Sequence, residues 1–125
     1  MPKSVPQVPG SGGGYPFSQI VEANGFVFLA GQVGDVPGQR RAVPGGIEAE
    51  TRQMLDNVGR LLREVGLDYP DVVKATVYLR DFTEFGAMNA VYREYFPTEP
   101  PTRATVGVTG LAEDYRVEIE VIAAR

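Results

Sequence analysis

The sequence predicts an α+β domain in which two helices cover one face of a sheet. Three observations carry that expectation. Apolar residues recur at helical spacing twice, over 47–65 and 82–95. Short runs rich in strand-forming residues stand at 71–79, 102–108 and 115–123. The resulting order is strand, strand, helix, strand, helix, strand, strand, which mixes hairpins with helices instead of alternating strictly.

Residues 1–14 are rich in Pro, Gly and Ser and are expected to form a flexible arm, leaving 15–125 as a single domain. The runs "FSQIVEA" and "FVFLAGQV" flank Asn24-Gly25, a strong hairpin signal. Residues 34–46, with two prolines among their glycines, read as a loop. In the first helix Ile47, Met54, Leu55, Val58, Leu61, Leu62 and Val65 share one side. Glu48 and Glu50 suit the positive end of its dipole, and Gly66 stops it. The run 71–79 is a mostly buried strand, and Asp81 caps a second helix carrying Phe82, Phe85, Met88, Tyr92 and Tyr95.

The last two strands, separated by "TGLAED", are expected to pair as a hairpin. Alternation sets Arg103, Thr105 and Gly107 on one face and Ala104, Val106 and Val108 on the other. Likewise Glu118 and Glu120 oppose Val117, Ile119 and Val121. A hairpin would align the polar rows and bring Arg103 close to a carboxylate. A solvated salt bridge there is worth only ~0.2–1 kcal/mol. The small neighbours Thr105 and Gly107 instead leave room beside the guanidinium, whose fork of donors suits a carboxylate or phosphate.

Composition narrows the chemistry further. With no His and no Cys there is no thiolate nucleophile, no Ser-His-Asp triad and no His/Cys zinc site. No stretch has the oxygen-ligand spacing of a calcium loop, so no metal is expected. A net charge of −4 argues against nucleic acid as a partner. No apolar run reaches ~20 residues, so no membrane partner is expected. The N-terminal residues lack the apolar block of a secretory signal, and the absence of Cys makes the cytoplasm the expected compartment. Carboxylates, arginines, hydroxyls and backbone amides remain for catalysis.

Six segments, "PFSQIVEANGFVFLAGQ", "GGIEAETRQMLDNVGRLLREVGL", "DVVKATVYLRDF", "MNAVYREYF", "PPTRATV" and "VEIEVIA", stand in the order found in the Rid/YjgF family. By that resemblance, which spans about residues 17–124, the sequence is similar to the reactive intermediate deaminases, the L-PSP or UK114 group. The resemblance implies a chorismate-mutase-like fold assembled as a homotrimer, with the sheets forming a central barrel and clefts between subunits. It implies hydrolysis of 2-imino acids to 2-keto acids and ammonia, in the manner of a 2-iminobutanoate/2-iminopropanoate deaminase, with no metal or organic cofactor. On it, Arg103 of "PTR" grips the substrate carboxylate and Glu118 of "VEIE" positions water. Asn89 of "MNAVY" contacts the ligand, and the backbone of Gly31 in "AGQ" lines the cleft. Three positions depart from the family pattern: Phe17 and Ala30 replace a tyrosine and a serine, and Thr105 replaces a frequent cysteine whose backbone amide meets the ligand. The resemblance leaves a second reading, a non-catalytic ligand-binding or regulatory protein using the same intersubunit cleft. A ribonuclease, the third reading, fits least well with an acidic chain that lacks His.

Overall fold

A computed structural model describes residues 2–9 and 14–125. Its elements are β1 (Ile20–Ala23), β2 (Phe26–Leu29), β3 (Gln32–Val33), α1 (Gly46–Glu64), β4 (Val72–Leu79), α2 (Phe85–Tyr95), β5 (Thr102–Gly107) and β6 (Val117–Ala124). The sheet is mixed and runs β1-β2-β6-β4-β5, with β3 also pairing to β6. Asn24 and Gly25, at φ 53° and 81°, supply the left-handed pair that a tight β1–β2 turn requires. Short 3-10 turns at Tyr69–Asp71 and Phe82–Glu84 precede β4 and α2. The Asp81 carboxylate accepts from the Thr83 amide, as a cap should.

One face of the sheet carries Val27, Leu29, Ala75, Val77, Leu79, Val117, Ile119 and Val121 into the core. Met54, Leu55, Val58, Leu61 and Leu62 of α1 and Met88 of α2 meet them there. Burial of each larger side chain contributes about 1.5–3 kcal/mol, so this layer supplies most of the driving force. On the opposite face the aromatic rings of Phe26 and Phe28 stay exposed, as does Val106. No helix among the described residues is long and apolar enough to cross a membrane.

Two expectations need correction. The last two strands do not form a hairpin. β5 lies parallel to β4 at the sheet edge, with Ala75 beside Arg103 and Val77 beside Thr105. β6 pairs antiparallel with the other side of β4, Val77 opposite Ile119 and Leu79 opposite Val117. The reason is burial: the rows Ala75/Val77/Leu79 and Val117/Ile119/Val121 both close onto the helices, while β5 offers Arg103, Thr105 and Gly107 to that face. A strand with so little to bury goes to the edge. Secondly, part of the N-terminal arm expected to be flexible touches the domain. Ser4 exchanges backbone hydrogen bonds with Glu22 (2.8 and 2.9 Å), and Val8 is buried in the core cluster. Most of "GSGGG" falls outside the described residues.

Candidate active site

All the sequence-predicted residues but Thr105 fall into two separate clefts. A smaller one, about 390 Å³, lies between α2, the proline turn and the start of β5, and is lined by Asn89, Tyr92, Pro100, Pro101 and Arg103. A larger one, about 720 Å³, opens beside β1 to β3 and β6, with Phe17, Ala30, Gly31 and Glu118 in its walls. Thr105 follows Arg103 on the same face, half-buried, and lines neither cleft.

In-register pairing with β4 turns Arg103 toward the helices. Its guanidinium carbon stands 4.5 Å from the Tyr92 ring centroid and 5.7 Å from that of Phe85. Both rings lie on α2, and their faces attract a cation without neutralising it. No ion pair among the described residues engages Arg103; the Tyr92 hydroxyl is its polar neighbour, and its charge has no carboxylate partner there. Burial raises the Tyr92 phenol above its ordinary range, and the charge of Arg103 opposes that shift. Tyr92 is both a core residue, 5% exposed, and part of the cleft wall. It stands three residues after Asn89 on one helix face, which is why the two share the cleft.

Glu118 sits on the opposite face of the sheet. Its half-buried carboxyl is raised above the ordinary glutamate range, first by burial and then by the charge of Glu120. Glu120 is itself engaged by the Tyr78 hydroxyl, which donates to Oε1 at 2.6 Å. A methyl group in place of the hydrogen of Gly31 would collide with Glu118 Oε2. Glycine at 31 is therefore what lets the carboxylate lie against the β2–β3 connection. The cross-strand Arg103–Glu118 neighbourhood expected from alternation does not exist within one chain, since β4 separates their strands and they face opposite ways.

Two supports of the larger cleft were not legible as such. Glu50 of α1 is 1% exposed and accepts from the amides of Arg116 (2.6 Å) and Val117 (3.3 Å), anchoring the start of β6 just before Glu118. Arg80, at the end of β4, donates to the carbonyls of Leu111, Glu113 and Tyr115. It thereby holds the 109–116 loop, whose Ala112, Glu113 and Tyr115 form a wall of the cleft.

Residues 13–125 match the family model described as endoribonuclease L-PSP. The chain belongs to this family, the Rid/YjgF group. Among its L-PSP relatives, the 2-iminobutanoate/2-iminopropanoate deaminase of Capra hircus is 44% identical over 108 residues, covering 86% of this chain and 79% of that protein. A RutC family protein of Pyrococcus horikoshii is also 44% identical, with 86% of each chain covered. Among solved structures, the Rid family protein YyfA of Yersinia pestis superposes with a TM-score of 0.89 at 34% identity, covering 99% of this chain and 100% of that one. The YjgF gene product of E. coli gives 0.82 at 34% identity, with 88% of each chain covered. The L-PSP fold of this chain is thus a mixed sheet with two helices on one face, as in those structures.

Proposed function

We propose that the protein hydrolyses 2-imino acids to 2-keto acids and ammonia, at sites that two copies of the chain complete. The observation carrying this reading is the division of charge: a guanidinium with no ion-pair partner among the described residues in one cleft and a carboxyl in another, on opposite faces of one sheet. No single chain can bring both to one substrate, whereas a neighbouring copy can lay its Arg103 cleft over the Glu118 cleft. The deaminase name of relatives about 40% identical supports the reaction class. A homotrimer with three such clefts is the assembly proposed. The exposed Phe26 and Val106 supply apolar surface on the open face of the sheet for it to cover. The cytoplasm is the proposed compartment.

In this reading Arg103 and Asn89 of one copy hold the substrate carboxylate, with the Thr105 amide beside them. Glu118 of the other copy, lying against Gly31, orients a water against the imine carbon. The water oxygen forms the new C–O bond, and one of its protons passes through Glu118 to the nitrogen. The carbinolamine then breaks its C–N bond, the hydroxyl proton leaves with ammonia, and the 2-keto acid remains. A guanidinium brought against Glu118 opposes the upward shift that burial imposes, keeping it ionised as a base. Imine hydrolysis is intrinsically facile, so orientation and proton transfer suffice without a nucleophile.

A second reading, binding without turnover, is favoured by one feature: Phe17 and Ala30 bring no hydroxyl to the cleft. The test is the loss of 2-iminopropanoate generated in situ. Wild type accelerates it, and Arg103→Ala lowers the rate by about 10²-fold. If wild type accelerates no imine of any chain length, the deaminase reading fails and ligand binding takes its place.

A further inference from the structure

The larger cleft extends well beyond what a three- or four-carbon substrate occupies, and its outer part is chemically distinct. At about 720 Å³ it is of a size that takes drug-sized ligands. Besides Glu118, the cleft is lined by Ala30, Leu29, Val21 and Phe28 and by the two exposed rings of Tyr15 and Phe17. These two rings stack on each other with centroids 5.2 Å apart, yet remain 45% and 55% exposed.

The polar groups of the cleft are largely satisfied by protein. Asn57 donates to Asp35 Oδ1 (3.3 Å), and the Tyr115 hydroxyl lies 3.4 Å from Asp35 Oδ2. The Gln32 amide donates to Gln19 Oε1 and to the Ala30 carbonyl. Arg40 lies over the Tyr15 ring at 5.2 Å. Ser18, Glu113 and Arg40 add polar groups to the lining, and the rest of the wall around Glu118 is apolar or aromatic.

Resting on the deaminase reading, we infer that this outer compartment binds the substrate's side chain and selects 2-imino acids whose side chains are bulky and apolar, aromatic ones above all. An aromatic side chain leaving the imine carbon can extend the Tyr15–Phe17 stack and displace water from it. A methyl group reaches none of these faces. Arg40 backs Tyr15 and limits where that ring can turn.

The test compares 2-iminopropanoate with 2-imino-3-phenylpropanoate, each generated in situ by an amino-acid oxidase and followed by semicarbazide trapping. Wild type is expected to show kcat/KM for the phenyl substrate at least about tenfold above that for the methyl one. Phe17→Ala and Tyr15→Ala should each lower that ratio, Phe17→Ala by about tenfold. A wild type that prefers the methyl substrate, or variants that leave the ratio unmoved, overturns the inference. Calorimetric titration with pyruvate and phenylpyruvate separates the two readings. Turnover of both imines with no size preference and equal product binding sinks the specificity and leaves the deaminase. Tighter binding of phenylpyruvate with no turnover of any imine sinks the deaminase and supports the pocket. Light scattering on Phe17→Ala adds a last check, because a change of assembly mass would make the rim a subunit contact and overturn the inference.

Discussion

Glu50 and Glu118 are both glutamates with raised pKa values, but they differ in what surrounds them. Glu50 is enclosed by its own chain, so its shift belongs to the fold rather than to an assembly. Burial is the main cause, offset by the Arg116 and Val117 amides that it accepts from. The sign follows from linkage: a carboxyl raised in the folded state contributes stability below its unfolded pKa and loses it as pH rises through the folded one. Glu50→Gln retains an acceptor for the two amides without a charge to bury. Its thermal midpoint should therefore exceed wild type at pH 8, with the gap closing as pH falls toward about 4. Glu50→Ala leaves those amides without an acceptor and should cost about 1–3 kcal/mol at either pH. Thermal melts across pH check both, and a Glu50→Gln gap that widens toward acid would refute the account. Placing Glu50 at a helix dipole was the natural reading of its position near the start of α1. Nothing local says that α1 packs against the start of β6, which is what buries it.

Among the elements, the hairpin β1–β2 and both helices were legible because their signals are local. Asn24-Gly25 needs only its own backbone, and the apolar stripes of 47–65 and 82–95 need only the helical repeat. The observed helices, Gly46–Glu64 and Phe85–Tyr95, differ mainly at the second, whose first turn tightens to 3-10. Strand partnership was the failure, since adjacency in sequence suggested β5 with β6 while the matching apolar rows put β6 beside β4. The 109–116 segment is consequently no hairpin turn but a loop clamped by Arg80. Arg80→Met should raise amide hydrogen exchange across 110–116 and raise KM for the imine, because Tyr115 and Glu113 leave their positions in the cleft wall. Arg80→Lys should restore neither fully, since one ammonium cannot reproduce a planar fork on three carbonyls. Exchange confined to its wild-type level in Arg80→Met would show that the clamp is not needed.

For the whole molecule, the proposed site makes a quantitative demand on subunit mixing. Arg103→Ala and Glu118→Gln should each lose about 10²-fold of the activity alone. Mixed under conditions that exchange subunits, they should regain roughly a quarter of wild-type activity, since that fraction of interfaces pairs an intact Arg103 with an intact Glu118. Activity that stays at the single-variant level in mass-verified mixed assemblies would place both residues in one chain's site and remove the two-copy reading. By itself, the sequence determined the α+β class, the helix faces, the first turn and the residue types able to do chemistry. These depend on composition and on periodicities of 3.6 and 2 residues, which each segment carries alone. Only the tertiary structure decided that β4 stands between β5 and β6, and hence that Arg103 and Glu118 look out from opposite faces. That outcome rests on which apolar rows can close together over the helices, a competition among distant segments that no single stretch records.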